Sequence, residues 1–174
     1  MTPDPSTLPP RVSDARAFAM DAHGPQPYGE RPYVHHLDAV VATLLRFDPQ
    51  VESDVLVAAY LHDVVEDTPV TLAQVMERFG SRVAELVGAV TSEPGATRKE
   101  RQLKTWPKTV ETEGAVRLKL ADRIANVAAC WDTRSRLLFM YHQEYRLFRG
   151  YLHSNPRGPE VAMWAELDRL MGWG

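Results

Sequence analysis

The sequence predicts a single all-α domain, a helical bundle of about eight to nine helices. Apolar residues recur at helical spacing along most of the 174 residues, and no run shows the sustained period-2 alternation of a strand. A chain of this length is long enough for one domain with a real core. Only residues 1–10, MTPDPSTLPP, have the proline-rich, polar composition of a flexible leader, so we expect the folded domain at residues 11–174.

Four helices are predicted in the first half of the chain, each bounded by turn residues. The loop HGPQPYGERPY contains three prolines and two glycines, so we expect no regular structure between the first two helices. Thr71 is a suitable cap for the fourth helix, and Gly80 is a suitable terminator. The expected helices run from about Ser13 to Ala22, Val34 to Phe47, Glu52 to Glu66 and Thr71 to Phe79.

Five more helices complete the predicted bundle. SEPGAT is a turn, and the basic stretch RKERQLKTWPK begins a helix that is kinked or ends before Pro107, because proline cannot donate a backbone hydrogen bond. Gly114 separates this helix from the next. The other expected helices run from about Ser81 to Thr91, Ala115 to Trp131, Ser135 to His153 and Pro159 to Met171.

The composition argues against several classes of protein. Twenty basic and 23 acidic residues give a net charge of −3, so no global basic field favours a nucleic-acid polymer as partner. Cys130 is the single cysteine, which excludes an internal disulfide and suits a buried core position. The N-terminus has no apolar signal core, and no segment reaches the ~18 apolar residues of a membrane span. We therefore expect a cytoplasmic protein with no membrane partner, while its oligomeric state stays open.

The segment AAYLHDVVEDT places ionisable groups where a buried helix should be apolar. A buried carboxylate without a partner costs several kcal/mol or takes up a proton. Residues four apart share a helix face, so His62 should lie over Glu66 and Asp63 over Asp67. These positions indicate a metal site. The alternative is the solvated end of a helix that leaves the core at Pro69.

A second anomaly lies in AVRLKLADRIANVAACW, where Asp122 is surrounded by apolar residues. Asn126, one turn later, shares its face. The simpler interpretation is a salt bridge from Asp122 to Lys119 or Arg123. Two buried helices that each carry an unexplained aspartate nevertheless favour a shared cation.

The pair His35 and His36 opens the second helix and offers a further ligand. Only one of the two can point inward, because neighbours on a helix diverge by about 100°. With His62, Asp63 and Asp122, one of them completes a set of two histidines and two aspartates. Such a set suits a divalent ion such as manganese, iron or zinc with positions left open for water.

These residues together resemble the HD-domain metal-dependent phosphohydrolases, and within that family the alarmone hydrolases of the RelA/SpoT type, including their small stand-alone form. The resemblance covers about Asp14 to Cys130 and rests on GERPYVHHLDAVV, AAYLHDVVEDTPVT, ERFGSRVAELVGAVT and KLADRIAN. It implies hydrolysis of the 3′-pyrophosphate of ppGpp or pppGpp to GDP or GTP plus pyrophosphate, usually with Mn²⁺; Fe²⁺ and Zn²⁺ are the alternatives. The implied partner is a small nucleotide.

The resemblance also assigns roles to individual residues. It places the metal ligands at His36, His62, Asp63 and Asp122. The Glu-Asp pair that marks the alarmone branch falls on Glu66 and Asp67, where a carboxylate can orient a water or take its proton. The resemblance further implies that Asn126 contacts the ribose, that Arg98 contacts a phosphate and that Tyr145 lines the pocket, although a charge run such as RKERQLK is more often a solvated helix face.

One departure from the family pattern affects the expected substrate. The first loop, from His23 to Gly29, lacks the basic residue that helps hold guanine in the family. Tyr28 or Tyr33 could replace that contact by stacking. A phosphohydrolase acting on another nucleotide is therefore the second hypothesis. A nucleotide-binding regulator without turnover is the third, and the Glu66-Asp67 pair argues against it.

Overall fold

The computed structural model describes residues 8–173, and within them the chain folds as the predicted all-α bundle. Most of the predicted leader, residues 1–7, lies outside the described residues, and α1 begins at Pro10. The helices are α1 Pro10–His23, α2 Val34–Phe47, α3 Ser53–Leu61, α4 Val64–Asp67, α5 Leu72–Phe79, α6 Ser81–Val90, α7 Arg98–Glu111, α8 Ala115–Thr133, α9 Leu137–Leu152 and α10 Pro159–Met171. None of these helices is long and apolar enough to span a membrane.

The centre of the bundle is α8. It packs against α2 and α10 and also touches α3, α6, α7 and α9, while α1 packs on α3. Fully buried leucines such as Leu118 and Leu120 on α8 and Leu37 on α2 form the core between these helices. Burial of an apolar side chain of this size stabilises the fold by roughly 1.5–3 kcal/mol. The polar residues of α2 and α8 are therefore held on a rigid, well-packed frame.

A buried polar network fixes the first three helices relative to one another. Arg16 on α1 donates from Nε and an Nη atom to both carboxylate oxygens of Asp38 on α2, each at 2.8 Å. The hydroxyl of Tyr60 on α3 donates to the same carboxylate at 3.0 Å. Because Asp38 lies two residues after His36, this network sets the position of the α2 segment that reaches the site.

One helix prediction is wrong, and for a second helix one of two predicted alternatives is excluded. The segment predicted as one helix from Glu52 to Glu66 is broken at His62 and Asp63, so α3 and α4 are separate. Pro107, by contrast, does not end α7, which continues to Glu111. The neighbours of Pro107 explain this, because Trp106 is buried against Phe148 and the buried Thr109 hydroxyl donates to the Ala89 carbonyl at 2.7 Å. Tertiary contacts here outweigh the local cost of proline.

The first loop contains a small sheet that the sequence did not predict. Strand β1 (Pro27–Tyr28) pairs antiparallel with β2 (Arg31–Pro32), with Tyr28 opposite Arg31. Gly29, at the turn between them, has a φ of 62°, which glycine adopts without steric cost. This hairpin directs Tyr28 and Tyr33 towards the polar centre of the bundle.

Other local signals are confirmed. Thr71 forms a capping box with Gln74 at the start of α5, and this helix ends at Phe79 before Gly80, as predicted. Cys130 is buried and unpaired. The chain also begins α8 at Ala115 directly after Gly114, whose φ is 79°.

Candidate metal centre

The break between α3 and α4 shapes the candidate site. His62 follows the last residue of α3 and is 1% exposed, and its Nδ1 lies 2.8 Å from the Ala59 carbonyl oxygen, to which it must donate. This hydrogen bond fixes the tautomer and leaves the Nε2 lone pair free. Asp63 sits at φ −103° and ψ −7°, in the bridge region where many active-site residues occur. The turn therefore aims two adjacent side chains at one point.

Side chains from α2 and α8 converge on the same point. One ligand atom each of His36, His62 and Asp122 lie within 4.8 Å of one another. The Nε2 atoms of His36 and His62 are 3.4 Å apart. Asp122 Oδ1 lies 3.4 Å from Nε2 of His36 and 3.7 Å from Nε2 of His62. His36 is the inward-pointing member of its pair, since His35 is exposed.

Asp63 adds a second carboxylate. Its Oδ2 lies 2.9 Å from His62 Nε2 and 3.5 Å from His36 Nε2. The same oxygen accepts a hydrogen bond of 2.5 Å from the Tyr33 hydroxyl. Burial, and after it the negative charge of Asp63, raises the pKa of the Tyr33 hydroxyl. The hydroxyl therefore stays protonated and remains a donor. The structure therefore brings the side chains of His36, His62, Asp63 and Asp122 together in space.

The electrostatics of this cluster match a cation site. Burial alone would lower the pKa values of His36 and His62, but the Asp63 and Asp122 carboxylates outweigh it and raise both. Burial alone would raise the pKa values of the two aspartates, but the facing imidazoles, and Lys119 beside Asp122, hold them well below their usual range. Nitrogen and carboxylate donors that converge in this way suit a divalent transition metal.

The surroundings of Asp122 reconcile the two interpretations of this residue. Lys119 Nζ donates to Asp122 Oδ2 at 3.0 Å, so the predicted salt bridge exists. Asn126 Nδ2 donates to Asp122 Oδ1 at 2.6 Å. Both donors hold the carboxylate in place, as outer contacts commonly do for metal ligands. Asp122 thus has a local salt bridge and also faces the two histidines.

Tyr28 covers this part of the site from the first loop. Its hydroxyl donates to Asn126 Oδ1 at 2.9 Å, and its ring stacks on His36 with 4.9 Å between centroids. Asn126 is therefore engaged on both sides of its amide. The Nδ1 atom of His36 is buried and has no hydrogen-bond partner among the described residues, so stacking and packing hold this ring.

The two carboxylates of the Glu-Asp pair have different surroundings. Glu66 lies in the wall of the cavity next to the cluster, and its Oε1 accepts a hydrogen bond of 2.7 Å from the Ser92 backbone N–H. Asp67 is exposed and accepts from Gln26 Nε2 at 2.9 Å. The Asp67 backbone N–H donates to the Asp63 carbonyl at 2.9 Å, so Asp67 still lies one helical turn after Asp63 despite the break between α3 and α4. The pair still lies beside the site.

A cavity of about 220 Å³ opens next to the cluster and is rich in cations. Its wall includes the charged side chains of Arg98, Arg101, Lys119 and Arg123, together with Gln102 and Tyr141. This volume is below the roughly 300–1,000 Å³ of typical ligand pockets. Four cations around a small polar cavity are suited to phosphate groups.

Two of these cations share one acidic partner. Arg98 Nε donates to Glu144 Oε1 at 2.5 Å, and an Arg123 Nη atom lies 3.5 Å from Glu144 Oε2. Arg123 is 4% exposed and also packs over the rings of Tyr141 and Phe148. Arg98, whose side chain is 47% exposed, is therefore tied to α9 by an ion pair at the cavity.

The structure does not bring Tyr145 into the cavity. Its hydroxyl donates to Asp168 on α10 at 2.5 Å, and its ring is buried between α9 and α10. Tyr141, one helical turn earlier on α9, lies in the cavity wall. The physical reason is the Asp168 carboxylate, which also accepts from Arg149 and draws the Tyr145 hydroxyl away from the site.

Several residues of the site escaped the sequence analysis. Glu144 and Tyr141 lie on α9, far along the chain from the motifs, and Gln26 lies in a loop that gave no local signal beyond its prolines. Lys119 had a signal, its spacing of three residues before Asp122, but this spacing predicted only a salt bridge. The hairpin contact of Tyr28 with Asn126 depends on packing across 98 residues of sequence.

The chain is similar to proteins of known family. A family model described as HD domain matches residues 15–138. The curated relative from Drosophila melanogaster named guanosine-3′,5′-bis(diphosphate) 3′-pyrophosphohydrolase MESH1 is 36% identical over 150 residues, which cover 81% of this chain and 80% of the relative. MESH1 from Homo sapiens is 37% identical over 67% of this chain and 68% of its own length.

Longer relatives match over the same region. A guanosine-3′,5′-bis(diphosphate) 3′-pyrophosphohydrolase from Aquifex aeolicus is 36% identical over 71% of this chain, but the match spans only 18% of that relative. Among solved structures, one described as a metazoan ortholog of SpoT that hydrolyzes ppGpp superposes with a TM-score of 0.80 at 26% identity, over 97% of this chain and 99% of its own. The similarity therefore extends to the whole fold.

Proposed function

The chain belongs to the HD-domain family, as its motifs predicted, and from that premise we propose that it is a metal-dependent phosphohydrolase that removes the 3′-pyrophosphate of ppGpp or pppGpp. The observation that carries this proposal is the position of the His36, His62 and Asp122 cluster directly beside a cavity lined by four cationic side chains. Similar proteins named as ppGpp 3′-pyrophosphohydrolases, and the similar structure described as hydrolyzing ppGpp, support the choice of substrate.

A divalent cation fits the ligand set. The family implies such an ion, and His36, His62, Asp63 and Asp122 would hold it, with manganese as the proposed metal and iron or zinc as alternatives. When bound, the ion would supply Lewis-acid polarisation of a phosphoryl oxygen and lower the pKa of a bound water.

The residues of the chain have separate roles in this proposal. Glu66, with Oε1 fixed by the Ser92 N–H, has its second oxygen available to take a proton from the attacking water. Asp67 would orient that water. The water oxygen attacks the phosphorus joined to the ribose 3′-oxygen, the bond from this phosphorus to the 3′-oxygen breaks, and the 3′-oxygen gains a proton.

Binding of the substrate is assigned to the cavity cations and to α8. Arg98, Arg101 and Arg123 would neutralise the negative charge of the pyrophosphate group that is transferred to water. Asn126 would contact the ribose. We do not assign Tyr145 to substrate contact, and Tyr141 takes that place in the cavity wall.

A second candidate substrate is a different nucleotide with a phosphate monoester or pyrophosphate. The observation that favours it is the first loop, which has no basic side chain to hold guanine. Instead the Tyr28 hydroxyl donates a hydrogen bond to Asn126 and the Tyr28 ring stacks on His36. Any nucleotide that reaches Asn126 must share this amide with the Tyr28 hydroxyl or displace it.

The deciding experiment is turnover of a nucleotide panel at equal concentration with manganese. Release of pyrophosphate from ppGpp, lost in both Asp63→Ala and Glu66→Ala, is the expected result. Turnover of another nucleotide without ppGpp would favour the second candidate. Silence on every nucleotide would favour a binding protein without turnover, and activity that survives both substitutions would refute the site assignment.

A further inference from the structure

A line of hydrogen bonds connects the end of α1 to the Glu-Asp pair, and we call it the Asp67 network: His23, Gln26 and Asp67. His23 Nδ1 is 2.8 Å from Gln26 Oε1, and Gln26 Nε2 is 2.9 Å from Asp67 Oδ2. An ionised carboxylate can only accept, so the amide nitrogen must face Asp67 and the amide oxygen must face His23. His23 must then carry its proton on Nδ1. The Asp67 carboxylate therefore fixes the orientation of the Gln26 amide, and this amide fixes the position of the His23 proton.

The backbone around Gln26 is equally constrained. Its N–H donates to the His23 carbonyl at 3.1 Å, and its carbonyl accepts from the Tyr33 N–H at 3.0 Å. Pro25 and Pro27 flank it, and each proline fixes its own φ and restricts the residue before it. The Gln26 side chain is therefore presented from a prearranged loop.

His23 also supports a second carboxylate of the site. It is 6% exposed, and its ring stacks on Tyr33 at 4.3 Å between centroids with an interplanar angle of 25°. The Tyr33 hydroxyl in turn donates to Asp63. The other nitrogen of His23, Nε2, is buried without a hydrogen-bond partner among the described residues. An unsatisfied buried polar atom costs about 1–3 kcal/mol, which an apolar residue would avoid if His23 only filled space.

Asp67 needs such support because its own element does not fix it. It is the exposed last residue of the four-residue helix α4, and within residues 8–173 its side chain makes one hydrogen bond, the contact with Gln26. Without that contact the carboxylate would rotate freely in solvent. Gln26 engages only Oδ2, so Oδ1 remains available for a water.

We propose that Gln26 and His23 are positioning residues that hold the Asp67 carboxylate in the orientation in which it directs water in the hydrolysis. The proposal rests on the proposed function, since it refines the role of Asp67 in that reaction. It adds to the site two residues of the first loop that touch neither the metal ligands nor the cavity cations. The first loop then has a part in the chemical step as well as in covering the site.

The test is a double-mutant cycle in steady-state kinetics with manganese. Gln26→Ala and Asp67→Ala are each expected to lower kcat by roughly 10- to 100-fold with KM changed less than about threefold, because a misplaced group loses catalysis more than binding. The double variant should be no slower than Asp67→Ala, since Gln26 acts through Asp67. Gln26→Glu keeps the size but replaces the donor with a repelling carboxylate, so it should lose as much as Gln26→Ala.

Glu30→Ala is the matched control, because Glu30 is exposed in the turn of the same hairpin and should leave kcat unchanged. Melting temperature and manganese binding, measured for every variant, verify the fold. If Gln26→Ala and Gln26→Glu stay within twofold of the wild type while Asp67→Ala is slow, the network is refuted and the proposed function stands. Losses that multiply in the double variant would show an independent structural role and also refute it.

The substrate in this cycle is ppGpp, or the panel nucleotide that the wild type hydrolyses if ppGpp is not turned over. Wild-type protein that hydrolyses no nucleotide would overturn the proposed function and the network together. That result differs from an active wild type with active Gln26 variants, so the two failures are distinguishable.

Discussion

Replacing Glu66 by glutamine tests the role of Glu66 as a base with little change in the shape of the site. Glu66 Oε1 accepts a hydrogen bond of 2.7 Å from the Ser92 N–H, and the amide oxygen of glutamine can keep this contact. The side chain therefore stays in place with almost the same shape. What is lost is the second carboxylate oxygen as a base, together with one negative charge in the cavity wall.

The expected loss follows from the general magnitude of base catalysis. A positioned base contributes about 10²- to 10⁴-fold. At about 1.36 kcal/mol per factor of ten, this equals roughly 3–5 kcal/mol of transition-state stabilisation. The loss should fall on kcat, because the cavity cations that bind the phosphates are unchanged. KM should stay within a fewfold of the wild type, or decrease, since one negative charge is removed.

The assay is pyrophosphate release from ppGpp under saturating manganese, with the metal affinity of each variant measured separately by calorimetry. Glu66→Gln should bind manganese like the wild type, because Glu66 lies outside the cluster of His36, His62 and Asp122. A kcat within threefold of the wild type would refute the role of Glu66 as base. A large loss accompanied by loss of metal would also refute it, since Glu66 would then act on the metal site.

Three further perturbations address the metal, the cavity charges and the bundle. Asp122→Ala removes one of the converging ligand atoms, so manganese affinity should fall by more than about 100-fold and the rise in melting temperature on adding manganese should disappear. A rise as large as that of the wild type would contradict the ligand assignment. Glu144→Gln tests a carboxyl whose pKa burial would raise but Arg98 lowers. A lowered pKa stabilises the folded state at pH values above the unfolded pKa of about 4.3, so in chemical denaturation at pH 7 the wild type should be more stable than the variant. This difference in the free energy of unfolding should vanish as the pH falls through the lowered pKa. A difference that persists in acid would refute the ion pair as its cause. Asp38→Ala leaves Arg16 without its bidentate partner, which should cost about 3 kcal/mol and lower the melting temperature by roughly 6–12 °C, whereas a loss below 1 kcal/mol would show that the network is not needed.

Much of the helical fold follows from local sequence. Capping at Thr71, termination at Gly80 and the apolar periodicity are properties of neighbouring residues, so they predict helix boundaries well. Pro107 and the break at Asp63 could not be predicted in this way. Trp106 and Thr109 anchor α7 through contacts with distant elements, and Asp63 is held by Tyr33, which lies 30 residues away along the chain.

Some residues of the candidate site could likewise be predicted from local sequence, and others could not. His62 and Asp63 stand out in the sequence because a buried helix does not tolerate two ionisable groups without compensation, and Asp122 stands out for the same reason. The choice of His36 over His35 came from the resemblance to a family. The structure places His36 inward, whereas Tyr145, carried over from the same resemblance, is directed to Asp168 on another helix.

The sequence by itself determined a helical domain and the buried ionisable residues of a candidate metal site, because helix periodicity and buried charge are local properties of the chain. The phosphohydrolase activity was implied by the resemblance to a family. Only the tertiary structure decided which of those side chains meet: the carboxylate that Gln26 holds, the arginines that share Glu144 and the tyrosine of α9 that enters the cavity. These contacts join residues that are far apart in the chain, and a one-turn difference on a packed helix changes the partner completely. Their geometry is set by packing around α8, which no local pattern encodes.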